Sequence, residues 1–394
     1  MKLMHISDCH LGGWRNEKLE ELNFKAFEKT LDIAKEKNVN AILISGDLFD
    51  VPLPSLKIIV KVINKLREIR ESGIKIYAIS GSHDIASNVG VINLLEASNI
   101  IKNVDFRKSE NIDYFIEDDL FIIGLSGKKR GKEVEEVKEL VSFLNKNKEK
   151  FKDKKKILLV HSTIKELVSL PIESIKLEEL PNYFDYYGFG HIHINKIIKK
   201  DGKIYAYPGP TFPNNFEEIE KLKHGYALII DLNNKEVENL PIKVCEVENL
   251  HFNADGKNPF SITNEIVEKL EKINVKGKIL TLRINGVLAE GSPGQIEFSR
   301  ISEIVEKKGG ILLRNTNKLH SKEFEIKDVD INLEENLEKI EKEFLNKFEN
   351  KALIEELIRI LDMEKKEGET NFNFEDRIIN EIKKKEEKLI QLLK

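Results

Sequence analysis

Five short segments combine the residue types that bind divalent metals with glycines that allow tight turns. They are Asp8-Cys9-His10, Gly46-Asp47, Gly81-Ser82-His83-Asp84, His161 and Gly190-His191-Ile192-His193. Mixed carboxylate and imidazole ligands suit Mn, Fe or Zn better than Mg or Ca, which prefer oxygen alone. On extended backbone, an Asp-x-His or His-x-His spacing puts both side chains on one face. The set therefore predicts one shared metal cluster.

Two cations held in this way would carry out phosphoester chemistry. One carboxylate can bind two cations, and Asp47 is the expected bridge. Two metals about 4 Å apart can activate a water and stabilise a pentavalent phosphate. Each segment alone has a simpler explanation, because a lone histidine after a strand is usually a packed residue and a lone Gly-Asp is usually a turn. Five such segments in one chain argue against that explanation.

These segments need a scaffold that gathers strand ends, and residues 1–245 have the pattern of one. Short apolar runs alternate there with amphipathic stretches, which indicates strands and helices in turn. The predicted strands are Leu3–Ile6, Ala41–Ile44, Ile74–Ile79, Phe121–Gly124, Ile157–Val160, Tyr205–Ala206, Gly225–Leu232 and Val237–Val244. The alternation predicts a layered α/β core, two-layered or sandwiched, in which the loops after the strand carboxyl ends converge on one crevice.

The pattern changes after residue 245. Residues 246–330 predict a small α+β module, with Asn253–Pro259 as the linker that leads into it. Residues 331–394 predict only helices. An apolar stripe at helical spacing runs through this region, formed by Leu333, Leu337, Ile340, Phe344 and Phe348. The stripe packs either on the body of this chain or on a partner.

The overall composition limits how the chain can interact with nucleic acid and membranes. Its 394 residues include 64 Lys+Arg and 68 Asp+Glu, and the net charge of −4 argues against coating of nucleic acid by bulk attraction. DNA contact would need a local basic patch, and residues 128–156 form either such a track or a solvated helix. Two distant cysteines, no signal peptide and no apolar run of about 18 residues predict a cytoplasmic protein outside the membrane.

The order of the five segments resembles the signature of the calcineurin-like metallophosphoesterases. Within that superfamily the chain looks like the DNA double-strand-break-repair nucleases of the Mre-eleven/SbcD type. The opening HISDCHLG, the later GHIH and the YPGPTFPN that follows it carry this resemblance over residues 1–245. The small second module and the helical region match the family's capping domain and ATPase-binding helices in layout only. The resemblance implies a β-sandwich flanked by helices, with a capping domain at 246–330 and a partner-binding region at 331–394.

The resemblance also assigns a role to each site residue. One metal would be held by Asp8, His10, Asp47 and His193, and the other by Asp47, Ser82, His161 and His191. His83 would bind no metal and would help the leaving group to depart. Two positions differ from the family pattern: Ser82 stands where asparagine is usual, and Asp50 stands where some members have histidine. A hydroxyl is a poorer donor than an amide oxygen, so the second metal is expected to bind more weakly.

The implied function is a manganese-dependent nuclease subunit of a DNA end-processing complex. The implied partners are DNA, an SMC-like ABC ATPase of the SbcC type on the C-terminal helices, and a second copy of the chain. Ile58, Ile59 and Ile63 would supply the dimer contact or else belong to the core. Two other functions remain open: a phosphodiesterase or phosphatase acting on small molecules or proteins, and a weakly active DNA-tethering scaffold. The residues beyond the core favour the nuclease, because a minimal phosphodiesterase lacks them.

Overall fold

The computed structural model describes residues 1–85, 90–107, 114–117, 119–127, 133–168 and 174–322, together with 359–360, 363, 374 and 377–381. The chain divides into two compact units, Met1–Lys322 and Glu323–Lys394. Most of the predicted helical region 331–394 therefore lies outside the described residues, although 359–360 and 377–381 are helical. The predicted domain boundaries at 245 and 330 stay predictions.

The first unit alternates strands and helices along most of its length. The strands are β1 (Lys2–Ile6), β2 (Ala41–Ser45), β3 (Lys75–Ile79), β4 (Lys102–Asn103), β5 (Phe115–Glu117), β6 (Leu120–Leu125), β7 (Lys155–His161), β8 (Tyr186–Gly190), β9 (Lys196–Lys200), β10 (Lys203–Tyr207), β11 (Gly225–Asp231), β12 (Glu236–Ile242), β13 (Glu246–Asn253), β14 (Lys278–Leu288), β15 (Ile311–Asn315) and β16 (Leu319–Ser321). The helices are α1 (Glu17–Glu36), α2 (Leu56–Glu71), α3 (Val91–Ala97), α4 (Glu133–Asn147), α5 (Phe216–Leu222), α6 (Pro259–Lys272) and α7 (Phe298–Lys307). The strands predicted within residues 1–245 are confirmed, and their ends differ by at most two residues.

Two six-stranded sheets pack face to face. Their strand orders are β12-β11-β1-β2-β3-β4 and β5-β6-β7-β8-β10-β9. Apolar side chains from both sheets, including Leu43 and Ile79 of the first and Ile122 and Leu159 of the second, form one buried cluster between them. Burial of such side chains is the main source of stability in a sandwich of this kind. The prediction of a sandwiched α/β core is confirmed.

Helices cover the outer faces of the two sheets. Helices α1, α2 and α3 pack on the first sheet, and α4 packs on the second. Because strand β2 is covered on both faces, all five of its residues are buried, which explains its continuous AILIS sequence. Helix α1 begins at Asn16, whose side chain accepts hydrogen bonds from the backbone N–H groups of Lys18 and Leu19. Its buried Asn23 donates to the carbonyl of His10 at 2.9 Å. Helix α1 therefore also holds the loop that carries Asp8 and His10.

The predicted ligands lie at one end of the sandwich. The loops after β1, β2 and β3 of the first sheet carry Asp8, Asp47 and Ser82, and β7 and β8 of the second sheet lead to His161 and His191. The expected crevice at the strand ends is present, and two facing sheets supply its walls. Strand β8, which was not predicted from the sequence, delivers the last histidine pair.

A third sheet follows the sandwich in the chain. Strands β13, β14 and β15 are parallel neighbours, β16 also pairs with β14, and α6 and α7 connect successive strands. The prediction that Asn253–Pro259 leads into this module is wrong, because β13 ends at Asn253 and this segment joins it to α6. Strand β13 escaped prediction because its sequence, EVENLHFN, mixes charged and apolar residues without a clear period.

Alternate residues of β14 divide the third sheet into two faces. Leu280, Leu282 and Ile284 pack in the module's own core with α6 and α7. Ile279 instead joins the large cluster around α1 in the sandwich domain, and Val247, Ile311 and Leu313 pack against the same cluster. The third sheet therefore packs on the first through an apolar contact, in addition to its connection along the chain.

The structure also bears on the expected dimer contact, the expected basic segment and the expected absence of a membrane span. Ile58 and Ile59 are buried in the core and Ile63 packs against it, so they are not a dimer surface. Of the basic segment 128–156, residues 128–132 lie outside the described residues, so the choice between a DNA track and a solvated helix stays open there. The other end of the segment is not beside the cluster, because Lys155 begins β7, six residues or about 20 Å along the strand before His161. Within the described part of the chain, no helix is both long enough and apolar enough to cross a membrane.

Candidate metal centre

Backbone hydrogen bonds join the loops that follow β1 and β2. The N–H groups of Asp8, His10 and Leu11 donate to the carbonyls of Gly46, Asp47 and Leu48 at 3.0–3.1 Å. Four predicted ligands, Asp8, His10, Asp47 and His191, have positive φ angles of 51°, 42°, 50° and 93°. Such left-handed backbone is strained for most residues, and it persists only where the surrounding structure enforces it. Here the hydrogen bonds between the two loops help to enforce it.

Asp8, His10 and His193 form the first cluster. Their ligand atoms all lie within 4.8 Å of one another. The Nε2 atoms of His10 and His193 are 3.0 Å apart, and His193 Nε2 lies 4.0 Å from Asp8 Oδ1. Asp8 is fully buried and is fixed by hydrogen bonds from the Ser7 hydroxyl at 2.6 Å and from the His191 N–H at 2.9 Å.

Asp47, His161 and His191 form the second cluster, again with all ligand atoms within 4.8 Å. His161 Nε2 lies 3.1 Å from Asp47 Oδ2. The same Asp47 oxygen is 3.8 Å from His10 Nε2 in the first cluster, so Asp47 stands between the two clusters. The hydroxyl of Ser82 faces Asp47 Oδ2 at 3.5 Å. The structure thus brings together all seven residues predicted to bind metal.

Three of the histidines are oriented through their Nδ1 atoms. His10 Nδ1 donates to the carboxylate of Asp50 at 3.0 Å, and His193 Nδ1 donates to Glu218 at 2.8 Å. His161 Nδ1 donates to the backbone carbonyl of Ser45 at 2.8 Å. Because each acceptor orients an Nδ1–H, each ring turns Nε2 toward the cluster, where its lone pair is available when the ring is neutral. This pattern of outer acceptors is common to metal-binding histidines.

The exposed lone pairs fit a cation at each cluster. Two imidazole lone pairs that face each other at 3.0 Å, as in His10 and His193, repel unless a cation or a proton lies between them. His161 Nε2 is buried and faces Asp47 Oδ2 at 3.1 Å. Carboxylate, imidazole and hydroxyl donors together match a Mn, Fe or Zn site. The residues present therefore fit the two divalent metals that the superfamily implies.

The pKa values of Asp47 and His161 in the second cluster also favour positive charge there. Burial opposes ionisation of Asp47, but His161 and His10 hold the pKa of its carboxyl well below the usual range. Burial favours neutral His161, yet the Asp47 carboxylate raises the pKa of this imidazole to about 9. A proton on His161 can thus balance the Asp47 charge where a cation would otherwise do so, and metal binding would release that proton.

Asp84 and several glycines hold the loops in place. The Asp84 carboxylate accepts hydrogen bonds from the N–H groups of Leu48, Phe49 and Gly81 at 2.9–3.2 Å, which joins the loop after β3 to the loop after β2. Burial and the nearby Asp47 raise the pKa of Asp84 to about 6. A methyl group at Gly81 would collide with the Asp47 carboxylate, so only glycine allows this close approach.

His83 occupies a different position from the predicted ligands. Its side chain is 48% exposed, and its Nδ1 donates to the backbone carbonyl of Asp50 at 2.7 Å. Its ring lies edge-on to His10, with the ring centroids 4.8 Å apart. His83 groups with His10 and Asp50 rather than with either cluster described above. Its backbone N–H donates to Asp47 Oδ1 at 2.8 Å, which places it directly at the rim.

Sequence reasoning missed Glu218 and left the structural roles of Asp50 and Asp84 unassigned. Glu218 had a readable signal, since Asn215 caps helix α5 and Glu218 stands three residues later, as in a capping box. Asp50 was noted only as a departure from the family. The structure shows that its carboxylate orients His10.

Fold and site together define a metallophosphoesterase. A family model for the calcineurin-like phosphoesterase superfamily domain matches residues 1–234. The chain belongs to this superfamily and is a metal-dependent phosphoesterase. It is similar to the DNA double-strand break repair protein Mre11 of Archaeoglobus fulgidus, with 28% identity across 91% of this chain and 81% of that protein. The Mre11 protein of Sulfurisphaera tokodaii is 29% identical over 77% of each chain. The resemblance drawn from the motifs is confirmed.

Among solved structures, the chain is similar to a dimetal phosphatase from Danio rerio. The match has a TM-score of 0.42 at 10% sequence identity, and it covers 62% of this chain and 98% of that one.

Replacing Ser82 with asparagine tests the position that departs from the family. An amide oxygen reaches further than a hydroxyl, so Ser82→Asn should tighten Mn²⁺ binding at the second cluster by about tenfold, a scale typical of changes around metal sites. Calorimetric titration of Mn²⁺ into both proteins measures this. Ser142→Asn, on the exposed face of α4, is the control. Unchanged affinity in Ser82→Asn would mean that the serine already provides a full ligand.

Proposed function

We propose that this chain is a manganese-dependent DNA nuclease, an exonuclease and endonuclease that hydrolyses phosphodiester bonds with two metals. The observation that carries the proposal is the pair of Nε2 lone pairs on His10 and His193, set beside the buried Asp47 carboxylate. Asp8, His10, Asp47 and His193 would hold one metal, and Asp47, Ser82, His161 and His191 the other. When bound, the metals would activate water and neutralise charge on the phosphate.

The residues of the chain prepare this site for a phosphodiester. Asp50, Glu218 and the Ser45 carbonyl fix the histidine tautomers, which removes the cost of reorienting them during the reaction. His83 would act on the leaving oxygen. Its Nδ1–H is held by the Asp50 carbonyl, so His83 would donate a proton or a hydrogen bond from Nε2 in its doubly protonated form.

DNA is the proposed substrate because of the relatives. The names of the similar proteins refer to repair of DNA double-strand breaks, and one of them aligns with 91% of this chain, including the third sheet and not just the phosphoesterase core. We therefore place the chain in a double-strand-break repair and end-processing complex. A phosphoesterase that acts on small molecules or proteins would share the metal cluster but would need no third sheet. A DNA-tethering scaffold would bind DNA without cutting it.

The proposal includes two partners and a location. The region 331–394 would bind an SMC-like ABC ATPase of the SbcC type, which stays a prediction from the sequence and the resemblance. A second copy of the chain would bind at the start of α2. Leu53, Leu56 and Val60 are 75%, 79% and 54% exposed, and the last two lie one helical turn apart. Cys9 and Cys245 are unpaired, in keeping with the expected cytoplasmic location.

A charge at Leu56 tests the proposed homodimer. Exposed apolar side chains in one patch favour association, and a carboxylate there would lose its hydration on binding. Leu56→Glu should therefore convert a dimer to a monomer in sedimentation velocity without loss of secondary structure. Phe260→Glu, at another exposed apolar position on α6, should leave the dimer intact. A monomeric wild-type protein, or a Leu56→Glu variant that still dimerises, would contradict this part of the proposal.

The nuclease proposal is tested by comparing two histidines on linear duplex DNA with Mn²⁺. His83→Ala should reduce single-turnover cleavage by about 10²- to 10⁴-fold, the usual scale of general acid catalysis, while both metals and DNA affinity are retained. His161→Ala should lose the second metal and the activity together. Metal content and cleavage are measured on both variants. Loss of a metal from His83→Ala would make His83 a ligand, and an inactive wild-type protein that binds DNA and Mn²⁺ would favour the scaffold.

A further inference from the structure

Helix α5 lies between the metal centre and the third sheet. It follows the YPGPTFPN segment, and its buried Ile219 anchors it in the core beside α1. Successive helical residues differ by about 100° in direction, so residues 218 and 220 point to nearly opposite sides. Glu218 contacts His193 of the first cluster and Glu220 contacts the third sheet. The seven residues of α5 thus contact both sites at once.

On the metal side, Glu218 is held by several hydrogen bonds. Its Oε1 accepts from His193 Nδ1 at 2.8 Å and from the Asn215 side chain at 2.7 Å, and its Oε2 accepts from the backbone N–H of Asn214 at 2.8 Å. Burial opposes its ionisation, but the partnership with His193 lowers the pKa of Glu218. Because all these bonds are short, a displacement of α5 would move or release His193.

On the other side, the third sheet grips α5 through polar side chains. Arg283 of β14 makes a two-pronged ion pair with Glu220, with Nε–Oε1 and Nη2–Oε2 distances of 3.0 and 2.7 Å. Both side chains are less than one-fifth exposed. The Arg283 guanidinium also lies 4.9 Å from the centre of the Phe216 ring at the start of α5. Planar, two-pronged pairs of this kind fix geometry better than a single contact.

Two amides extend this contact along the helix. Asn249 of β13 donates to the backbone carbonyl of Glu220 at 2.8 Å, and it accepts from the Thr281 hydroxyl at 2.9 Å. Asn315 of β15 donates to the Glu217 carboxylate at 2.8 Å. The three neighbouring strands β13, β14 and β15 therefore all hold α5. They do so from the face of the third sheet that also packs on the α1 cluster.

We infer that the Arg283–Glu220 ion pair positions His193 through helix α5, so that the third sheet sets the geometry of the first metal cluster. Arg283 touches no metal ligand and is a positioning residue. The attachment of the third sheet to α5 determines how firmly the Nε2 atom of His193 is aimed at the first cluster. This inference rests on the proposed metal centre.

The test uses the full chain and Mn²⁺ alone. Arg283→Met keeps the length and packing of the side chain but removes the ion pair. It should weaken one of the two Mn²⁺ sites by about two- to thirtyfold in a calorimetric titration, the range expected of coupling through intermediate residues. Arg300→Met removes an arginine of the same module whose ion-pair partner among the described residues is the nearby Glu297, so it should leave both affinities unchanged.

A double-mutant cycle separates the ion pair from general damage. Glu220→Gln should weaken the same site, and the double variant should be no weaker than Arg283→Met, because both changes break one interaction. The inference is overturned if Arg283→Met has a wild-type unfolding midpoint and wild-type affinity at both sites. An equal loss in Arg300→Met would also overturn it, since the effect would then belong to the module as a whole.

A second readout needs no metal. The Nδ1 proton of His193, assigned by its loss in His193→Gln, gives an NMR signal in ¹⁵N-histidine-labelled protein while Glu218 holds it. We expect this proton to exchange with water faster in Arg283→Met than in wild type and unchanged in Arg300→Met, and equal rates in all three would overturn the inference. If the wild-type protein binds no Mn²⁺, the proposed function fails. The exchange rate of the His193 Nδ1 proton in the three proteins still tests the inference in that case. If Mn²⁺ binds but DNA is not cut, only the nuclease proposal fails.

Discussion

The geometry of the site depends on how its imidazole protons are held. His10, His193 and His161 each donate a hydrogen bond from Nδ1 to an outer acceptor, which turns three Nε2 atoms toward the buried carboxylates of Asp8 and Asp47. Lone pairs and carboxylates packed this closely repel one another unless positive charge lies among them. Protonation of His161 supplies part of that charge, and divalent cations would supply the whole of it. The loops, the outer acceptors and the glycines can all be understood as means of holding this arrangement.

The sandwich makes the arrangement possible because its two sheets end at the same place. The loops of the first sheet supply Asp8, His10, Asp47 and Ser82, and the second sheet supplies His161, His191 and His193. The buried cluster between the sheets holds the two sets together. The left-handed backbone at Asp8, His10, Asp47 and His191 is unfavourable locally. It is maintained by backbone hydrogen bonds between loops and by the Asp84 carboxylate, which ties together the loops after β2 and β3. The third sheet adds a further constraint through α5, so the centre is supported from both the core and the module.

Much of this was readable from the sequence, because ligand types and buried strands leave local signals. The spacing of Asp8, His10, Asp47, His161, His191 and His193 identified residues that do lie together, although their metal-binding roles remain predictions. Apolar strands such as β2 were found because burial on both faces leaves an unbroken apolar run. What escaped depends on contacts between distant parts of the chain. Nothing near Glu218 shows that His193 is its partner, and β13 divides its apolar residues between two clusters, with Val247 at the α1 cluster and Leu250 in the core of the third sheet. Ile58 and Ile59 lie on the buried face of α2, whereas the neighbouring Leu56 and Val60 are exposed, and a run of apolar residues cannot by itself tell these faces apart.

The central claim is that Asp47 stands between two divalent cations. Crystals soaked in Mn²⁺ and measured for anomalous scattering at the manganese edge test it directly. The account predicts two peaks about 4 Å apart on either side of the Asp47 carboxylate, one beside His10 and His193 and one beside His161 and His191. A single peak, or a peak held by His83 and Asp50 with none beside His161, would contradict it.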